Sequence, residues 1–383
     1  MANLFIGPGK VFCGKGALEL AGDTAGTLGK KALVVTDPMM EKLGNLEKVT
    51  AALSKAGAAW TVYTGIDGEP DDGMIERGVK IYIEEGCDFL VGLGGGSPID
   101  SMKAIAMIAR YGGRPGDYLG KAVAGKLAPM MAIPTTAGTG SEATQFTIIT
   151  DRASQVKMLL QGPALTPDVA VIDPRFTLTV SKNITAATGI DALTHALEAY
   201  TSRKAQPLSD TFALSACERI FHFLKRAWEN GEDEESRVQM SLAALEAGVA
   251  FNNSSVTIVH GMSRPIGALF HVPHGISNAM LLNVCLEYIV DGAEDRFGDI
   301  GIRCGLAAAE EGKTKAARSV LETVAGLIKD MDIPSLKDYG ISREAFFENI
   351  PKMARDAYAS KSPSNTRKEI TVQVMEELYG KLW

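Results

Sequence analysis

Short apolar runs alternate with helix-periodic stretches over roughly the first 180 residues of the chain. This alternation is typical of a parallel sheet with helices on both faces. Residues 3–11, which contain a Gly-Pro-Gly turn, favour a small antiparallel piece at the edge of that sheet. The apolar runs predict strands at Lys31–Val35, Trp60–Tyr63, Phe89–Leu93, Met130–Ile133 and Val169–Ile172.

Beyond about residue 183 the β-branched runs become rare, and long amphipathic stretches predict helices at Leu208–Trp228, Ser236–Phe251 and Lys313–Met331. A chain of 383 residues is longer than one typical domain. The pattern therefore predicts an α/β domain at 1–182 and an all-helical domain at 183–383, with the boundary near residues 174–183.

Composition is that of an ordinary globular protein, with 46% hydrophobic and 22% charged residues. The net charge of −7 offers no basic surface for nucleic acid or an anionic membrane. The five cysteines are odd in number and form no CxxC pair, which favours reduced thiols. With no leader peptide and no apolar run of membrane-spanning length, we expect a cytoplasmic protein.

Most of the five histidines fall in two short segments of the second half. Asp191 and His195 are four residues apart in a helical pattern, so both side chains project from one face. His260 and His274 can each add a nitrogen. Three imidazoles and one carboxylate suit Fe(II) or Zn(II), with Mn, Co or Ni possible, and such an ion can act as a Lewis acid. Histidines that are only satisfied core residues remain the alternative.

Two polar loops follow apolar runs in the first half. In the first, Gly94, Gly95 and Gly96 let backbone N–H groups approach a phosphate at a helix N-terminus, where Ser97 can donate to the phosphate or cap the helix. The spacing is not GxGxxG, so a Rossmann fold is not indicated. The second loop, residues 131–142, is dense in hydroxyls and glycines. An ordinary turn remains the alternative for each loop.

Read together, these segments resemble the iron-containing alcohol dehydrogenases, a metal-dependent group that includes lactaldehyde reductase, 1,3-propanediol dehydrogenase, butanol dehydrogenase and sulfoacetaldehyde reductase. The resemblance implies the dehydroquinate synthase-like fold, with an α/β domain followed by a helical one. The matching stretches are VVTD at 34–37, GGGSPID at 94–100, PTTAGTGSE at 134–142, TAATGIDALTHALEAY at 185–200 and HGMSRPIGALFHVPHG at 260–275.

The resemblance also implies roles for individual residues. Asp191, His195, His260 and His274 fall on the metal ligands of the family. Asp37 falls on the position that faces the adenosine ribose, where a carboxylate favours NAD(H) over NADP(H). The remaining positions that match cofactor contacts are Gly94, Gly95, Gly96, Ser97, Asp100, Thr135, Thr136, Thr139 and Lys157.

The expected activity is hydride transfer between NADH and a metal-bound short-chain aldehyde, with Fe(II) as the preferred metal and Zn(II) or Mn(II) as alternatives. His271 is a candidate proton relay, or else only lines the pocket. His222 lies in an amphipathic helix pattern and is expected to be structural. A homodimer is expected from the resemblance.

Arg264 departs from the family, in which many members carry a histidine four residues after the third ligand. A guanidinium there suits an aldehyde with an anionic tail, and we favour the reduction of sulfoacetaldehyde to isethionate. Gln145, Phe146 and Phe251 are expected to line the same pocket or to pack in the core. The alternative for Arg264 is an ion pair with a carboxylate such as Glu198.

Other substrates and other classes of protein remain open. Neutral aldehydes or diols of the lactaldehyde, 1,3-propanediol or butanol type, and succinate semialdehyde with 4-hydroxybutyrate, are alternative substrates. A dehydroquinate synthase-like lyase would need a strongly basic phosphate site and different ligand motifs, neither of which the sequence contains. A non-catalytic metal or nucleotide binder is disfavoured because every ligand position is intact.

Overall fold

The computed structural model describes residues 2–154 and 156–383. Contacts within the chain divide it into two compact units. One unit comprises Ile6–Val180, and the other comprises Ser181–Trp383 together with the first few residues of the chain. In the second unit the ring of Phe5 stacks on Phe212, with 5.8 Å between ring centroids.

A six-stranded parallel sheet forms the centre of the Ile6–Val180 unit, in the order β1-β8-β5-β4-β2-β3. All five strands predicted from the apolar runs are confirmed, within a residue at each end. The strands are β1 (Lys10–Cys13), β2 (Lys31–Val35), β3 (Ala59–Tyr63), β4 (Phe89–Gly94), β5 (Met130–Pro134) and β8 (Val169–Ile172).

The strand near the N-terminus lies at the sheet edge, but the antiparallel pairing expected for it is wrong. β1 pairs with β8 in parallel register, so that Lys10 lies opposite Val169. Three of its four residues are exposed, and an exposed edge strand carries no apolar pattern that would show the direction of its partner. The pairing is set by the long connection that brings β8 back beside β1.

Helices cover both faces of the sheet, as expected. Along β2 the side chains alternate: Leu33 and Val35 join one apolar cluster, and Ala32 and Val34 join the other. The first cluster includes residues of α4 and α5, and the second includes residues of α1 and α3. The helices of this unit are α1 (Ala17–Leu28), α2 (Pro38–Lys42), α3 (Asn45–Lys55), α4 (Asp72–Glu84) and α5 (Gly96–Tyr111).

A two-stranded antiparallel hairpin, β6 (Phe146–Asp151) and β7 (Val156–Gln161), was not predicted from the sequence. Alternate residues of β6 are buried, among them Thr147 and Ile149. A threonine on the buried face hides the apolar alternation that identifies a strand. The hydroxyl of Thr147 is satisfied by donating to the carbonyl of Asp100 at 2.8 Å.

In the second unit the regular elements of the described residues are all helices, and the three helices predicted there are confirmed. None of the described helices is both long and apolar enough to cross a lipid bilayer. The helices are α6 (Lys182–Thr201), α7 (Pro207–Glu229), α8 (Glu234–Ser254), α9 (Ile258–Phe270), α10 (His274–Ile289), α11 (Glu294–Arg303), α12 (Lys313–Asp330), α13 (Arg343–Ala359) and α14 (Val372–Gly380).

Candidate functional site

Helix α6 contributes two side chains of a polar cluster inside the helical unit. The hydroxyl of Ser181 caps its N-terminus by accepting from Ile184 N. From Gly189 onward every residue of α6 is buried, which is expected of a helix that is packed on all sides. Asp191 and His195 lie four residues apart on this buried stretch and are 2% and 4% exposed. As predicted, they share one face of the helix.

Two further imidazoles come from consecutive helices. His260 lies in the first turn of α9 and is buried, and His274 is the first residue of α10. Between them, His271 is the C-cap of α9 and has a left-handed backbone (φ 54°), and Pro273 is the N-cap of α10. The side chain of His274 keeps 33% of its surface exposed, so the cluster is open to solvent on the side of His274.

The four side chains converge on one point. Each of Asp191, His195, His260 and His274 offers one ligand atom, and all four atoms lie within 4.8 Å of one another. The distances from Asp191 Oδ1 to Nε2 of His260 and of His274 are 3.7 and 3.8 Å. Ligand atoms about 2 Å from a common divalent ion have separations of this order. The donor set therefore fits such an ion.

Electrostatics in the cluster favour the ionised carboxylate that a metal ligand requires. Burial alone would raise the pKa of Asp191, but the imidazole of His195, followed by those of His274 and His260, holds it well below its usual value. A buried carboxylate that faces three imidazoles is thus already charged at neutral pH. The arrangement is suited to a cation.

A buried glutamate, which the sequence indicated only as a possible partner of Arg264, orients one of the imidazoles. Glu198 lies on α6 and is 1% exposed. One of its oxygens lies 2.5 Å from Nδ1 of His260, while the other accepts from Thr257 Oγ1 at 2.7 Å and Val259 N at 2.6 Å. A proton on Nδ1 leaves the Nε2 lone pair of His260 directed at the cluster.

Replacing Glu198 with glutamine is expected to weaken divalent metal binding by about 10- to 100-fold, because the carboxylate that fixes the His260 tautomer is lost. The measurement is the metal dissociation constant from competition with a chelator. Glu246→Gln is a matched control, since Glu246 pairs with Arg219 on other helices of the same unit. Equal affinity in the Glu198 and Glu246 variants would contradict this role.

Phe251 lies beside the cluster of four ligands, whereas His271 and His222 lie outside it. Phe251 stacks on His195, with 4.2 Å between ring centroids, so it borders the cluster. His271 is exposed at the end of α9 and is not one of the four clustered residues. His222 is on α7, where Nδ1 lies 2.6 Å from the carbonyl of Glu218, in keeping with the structural role expected for it.

Arg264 lies one turn after His260 on α9, but it does not pair with Glu198. Both Glu198 oxygens are used by other donors, and among the described residues no carboxylate lies within ion-pair distance of the guanidinium. Its Nη1 donates to Ser362 Oγ at 3.0 Å, and Nε is buried without an acceptor in the described part of the chain. Burial lowers the pKa of Arg264, partly opposed by the charge of Glu198.

In the other unit, the loops that were predicted to hold a cofactor meet at the carboxyl edge of the sheet. β2 and β4 are neighbours, but the chain leaves β2 toward β3 and returns to β4, so the strand order reverses between them. Ligands bind parallel sheets at such a switch point. Asp37 is the second residue after β2 and caps α2 by accepting from Met39 N at 2.8 Å and Met40 N at 3.1 Å.

Gly94, at the end of β4, can only be glycine in this arrangement. Its φ is +147°, and a Cβ on it would lie 2.5 Å from Cγ of Pro98 and 3.1 Å from Oδ2 of Asp37. The Asp37 carboxylate therefore lies directly beside the glycine loop. α5 starts two residues later with Gly95 as its N-cap, so Ser97 is inside the first turn and does not cap the helix. The other role predicted for Ser97, donation from its hydroxyl to a ligand, stays a prediction.

The hydroxyl-rich loop after β5 packs on the same glycines. A Cβ on Gly96 would lie 3.0 Å from Thr139 Cγ2, and one on Gly95 would lie 3.5 Å from Thr136 Oγ1. Thr135 N donates to the carbonyl of Gly94 at 2.9 Å. The three predicted threonines are thus beside the N-terminus of α5, where free N–H groups and the helix dipole favour an anion.

A buried lysine that was not predicted from the sequence connects α5 to the loop after β5 and to the start of β6. Lys103 on α5 is fully buried, and its Nζ donates to Ser141 Oγ, Thr144 O and Phe146 O at 3.2, 2.9 and 2.8 Å. Burial lowers its pKa to about 8. A lysine inside an otherwise apolar helical run could have indicated a buried, hydrogen-bonded side chain from the sequence.

Asp100 and Lys157 bind protein groups. Asp100 accepts from Ile148 N at 2.9 Å and from the hydroxyl of Ser141, so it fixes the loop and the hairpin. Lys157, on β7, pairs with Glu69 at 2.6 Å. Phe146 is the first residue of β6 and Gln145 precedes it, in the same unit as the cofactor loops, whereas Phe251 and Arg264 lie in the helical unit.

Comparison with known proteins identifies the family. The sequence model of the iron-containing alcohol dehydrogenase family matches residues 8–174. The sequence model of the C-terminal part of the Fe-containing alcohol dehydrogenase family matches residues 185–383. The NAD-dependent methanol dehydrogenase of Bacillus methanolicus is 36% identical over 382 residues, covering 99% of each chain.

This chain is also similar to solved structures over nearly its whole length. A crystal structure of 1,3-propanediol oxidoreductase superposes with a TM-score of 0.96 at 32% identity, covering 100% of both chains. The sulfoacetaldehyde reductase of Bifidobacterium kashiwanohense, solved in complex with NAD+, superposes with a TM-score of 0.89 at 29% identity, covering 100% of this chain and 99% of that one. The chain therefore belongs to the iron-containing alcohol dehydrogenase family and is an alcohol or aldehyde oxidoreductase.

Proposed function

We propose that this protein is a metal- and NAD(H)-dependent aldehyde reductase for short aldehydes with an anionic tail. The observation that carries the proposal is the convergence of four ligand atoms within 4.8 Å in the interior of the helical unit. One turn away on α9, a half-buried guanidinium has no carboxylate partner among the described residues. Together these groups can hold a divalent cation and the negative end of a small substrate.

Asp191, His195, His260 and His274 would hold the metal, with Fe(II) as the first expectation and Zn(II) or Mn(II) as alternatives. When bound, the ion supplies a Lewis acid that polarises a carbonyl group. The stacked rings of Phe251, His195 and His260 cover part of the cluster and limit the entry of water. His271 is exposed and is our candidate for passing a proton from solvent toward the product oxygen.

NAD(H) would bind at the carboxyl edge of the sheet. The N-terminus of α5 and the hydroxyls of the neighbouring loop offer donors to the pyrophosphate, and Asp37 offers an acceptor to the ribose. The names of two similar proteins, an NAD-dependent methanol dehydrogenase and a reductase solved with NAD+, support this cofactor. The proposed contact residues are Asp37, Gly94, Gly95, Gly96, Ser97, Thr135, Thr136 and Thr139. Cofactor contacts by Asp100, which accepts from Ser141 and Ile148, and by Lys157, which pairs with Glu69, stay predictions.

Replacing Asp37 with serine is expected to reduce the preference for NADH over NADPH. Serine can still cap α2, which limits the loss of stability, while the charge that repels a 2′-phosphate is removed. The measurement is kcat/KM for both cofactors at saturating aldehyde. Equal efficiency of the wild-type protein with both cofactors would contradict the role of Asp37.

The substrate class rests on Arg264. Its Nε lacks an acceptor among the described groups, and a planar guanidinium recognises sulfonate, carboxylate and phosphonate oxygens well. Of the anionic aldehydes we favour sulfoacetaldehyde, which would be reduced to isethionate. One structurally similar protein is named a sulfoacetaldehyde reductase. Roles in substrate binding for Gln145, Phe146 and Phe251 stay predictions.

Two alternatives concern the same chemistry with other substrates. Succinate semialdehyde, reduced to 4-hydroxybutyrate, would use Arg264 in the same way through its carboxylate. Neutral substrates of the lactaldehyde, 1,3-propanediol or butanol type have support from the names of relatives, among them lactaldehyde reductase of Escherichia coli. A homodimer also stays a prediction, which light scattering would test.

A panel of aldehydes separates these substrates. We would measure NADH oxidation by Fe(II)-loaded protein under anaerobic conditions with sulfoacetaldehyde, succinate semialdehyde, propanal and lactaldehyde. The proposal expects kcat/KM to be highest for sulfoacetaldehyde and lowest for propanal. A higher kcat/KM for propanal or lactaldehyde would leave the reductase activity in place but remove the anionic substrate.

A further inference from the structure

Asn278 lies among the four clustered side chains. It is on α10, four residues after His274, so both side chains project from the same face of the helix, and it is fully buried. Its Nδ2 lies 2.7 Å from Asp191 Oδ1, 3.1 Å from His260 Nε2 and 3.3 Å from His274 Nε2. The amide thus contacts three of the four groups that would hold the metal.

The two ends of the Asn278 amide differ in hydrogen bonding, because Nδ2 has several neighbours and Oδ1 has no donor among the described residues. Glu198 holds a proton on Nδ1 of His260, so Nε2 of that ring is an acceptor. Asp191 Oδ1 and His260 Nε2 therefore both accept from the NH2 group of Asn278, and Nε2 of His274 lies 3.3 Å from the same nitrogen. On its other side, Oδ1 of Asn278 is buried and has no donor among the described residues.

A cation bound at the cluster would favour the oxygen end of the Asn278 amide over its nitrogen end. Asp191 Oδ1 and Nε2 of His260 and His274 all lie within 3.3 Å of Nδ2, so a cation held by these three residues would be close to this end of the amide. An N–H group is repelled by a cation, whereas a side-chain carbonyl oxygen is a good ligand for hard divalent ions. The two ends of an asparagine amide have nearly the same shape, so a half-turn about the last side-chain bond exchanges them.

We propose that Asn278 is a fifth protein ligand of the metal centre, with its side-chain oxygen turned toward the ion. The inference rests on the proposed metal site formed by Asp191, His195, His260 and His274. It also bears on the choice of metal. Zn(II) is usually satisfied by four ligands, whereas ions that accept more oxygen ligands, such as Mn(II) and Fe(II), gain most from a fifth.

Two substitutions test the proposal. Asn278→Asp keeps the shape and the oxygen but removes the N–H donor, and Asn278→Ala removes both. We expect the aspartate variant to bind Mn(II) and Co(II) at least as tightly as the wild-type protein. The alanine variant should bind them at least about tenfold more weakly, with a smaller loss for Zn(II). Dissociation constants come from competition with a chelator, which does not depend on activity.

The visible absorption of Co(II)-loaded protein gives a second readout, since it changes with coordination number. The wild-type and aspartate spectra should agree, and the alanine spectrum should shift toward a site with fewer ligands. Asn349→Ala is the control, because Asn349 only donates to the carbonyl of Ala345 in α13. Circular dichroism and thermal unfolding without metal check that the variants are folded.

The outcomes separate this proposal from the metal site on which it rests. Failure of the wild-type protein to bind any divalent ion would overturn both. Tight wild-type binding with an unchanged alanine variant would overturn only the role of Asn278. If aspartate weakens binding as much as alanine, the amide acts through its N–H on Asp191, and the oxygen ligand is wrong. A wild-type Co(II) spectrum of a four-coordinate site would overturn the proposal even if no variant folds.

Discussion

Replacing His274 with alanine is expected to remove the metal and to lower kcat/KM for aldehyde reduction by roughly a thousandfold or more. A Lewis acid contributes several kcal/mol of transition-state stabilisation, and each 1.4 kcal/mol is about tenfold in rate. The side chain of His274 is one-third exposed, so its loss leaves a smaller defect in the core than loss of a fully buried ligand such as His260. Metal content by elemental analysis and steady-state NADH oxidation measure the effect.

His222→Ala is the matched control for that experiment. The ring of His222 is exposed on α7 and contacts the carbonyl of Glu218 in its own helix. Metal content and kcat/KM should stay close to wild type in this variant. Full metal occupancy in the His274 variant, or an equal loss of activity in both variants, would contradict the assignment of the four ligands.

Replacing Arg264 with methionine is expected to lower kcat/KM for sulfoacetaldehyde by about 10- to 100-fold relative to propanal. A hydrogen bond to a charged group contributes roughly 1.5–3 kcal/mol. Methionine fills much of the same volume and leaves no unpaired charge in this half-buried position. The measurement is the ratio of kcat/KM for the two aldehydes in the wild-type and variant proteins.

Lysine at the same position provides the second comparison. Arg264→Lys keeps the charge but loses the planar set of donors, so it should recover part of the preference for the anionic substrate. Ser362→Ala removes the acceptor of Arg264 Nη1 and controls for disturbance of that contact. An unchanged ratio in the methionine variant would return Arg264 to a structural role.

The sheet could be predicted because its central strands are continuous apolar runs that are buried on both faces. β1 and the β6–β7 hairpin could not be read in the same way. Three of the four residues of β1 are exposed, and β6 buries Thr147, so neither shows a clean apolar pattern. The direction of β1 depends on β8, which lies more than 150 residues away in the sequence.

The four clustered residues could be found from sequence because ligand chemistry restricts the residue types, and because Asp191 and His195 have helical spacing. Glu198 and Asn278 could not be assigned their contacts. Glutamate and asparagine are common in helices, and their partners on α6, α9 and α10 are set by how these helices pack. The absence of an Arg264–Glu198 pair has the same origin, since Glu198 is already held by His260 and Thr257.

We expect aldehyde reduction by this chain to need both NADH and a divalent metal. The most direct test strips the protein with a chelator, restores Fe(II) under anaerobic conditions, and follows NADH oxidation with sulfoacetaldehyde and propanal before and after restoration. We predict negligible oxidation by the stripped protein and rapid oxidation, dependent on the aldehyde, once Fe(II) is returned. Equal rates with and without metal, or no oxidation with either aldehyde after Fe(II) is restored, would contradict a metal-dependent reductase.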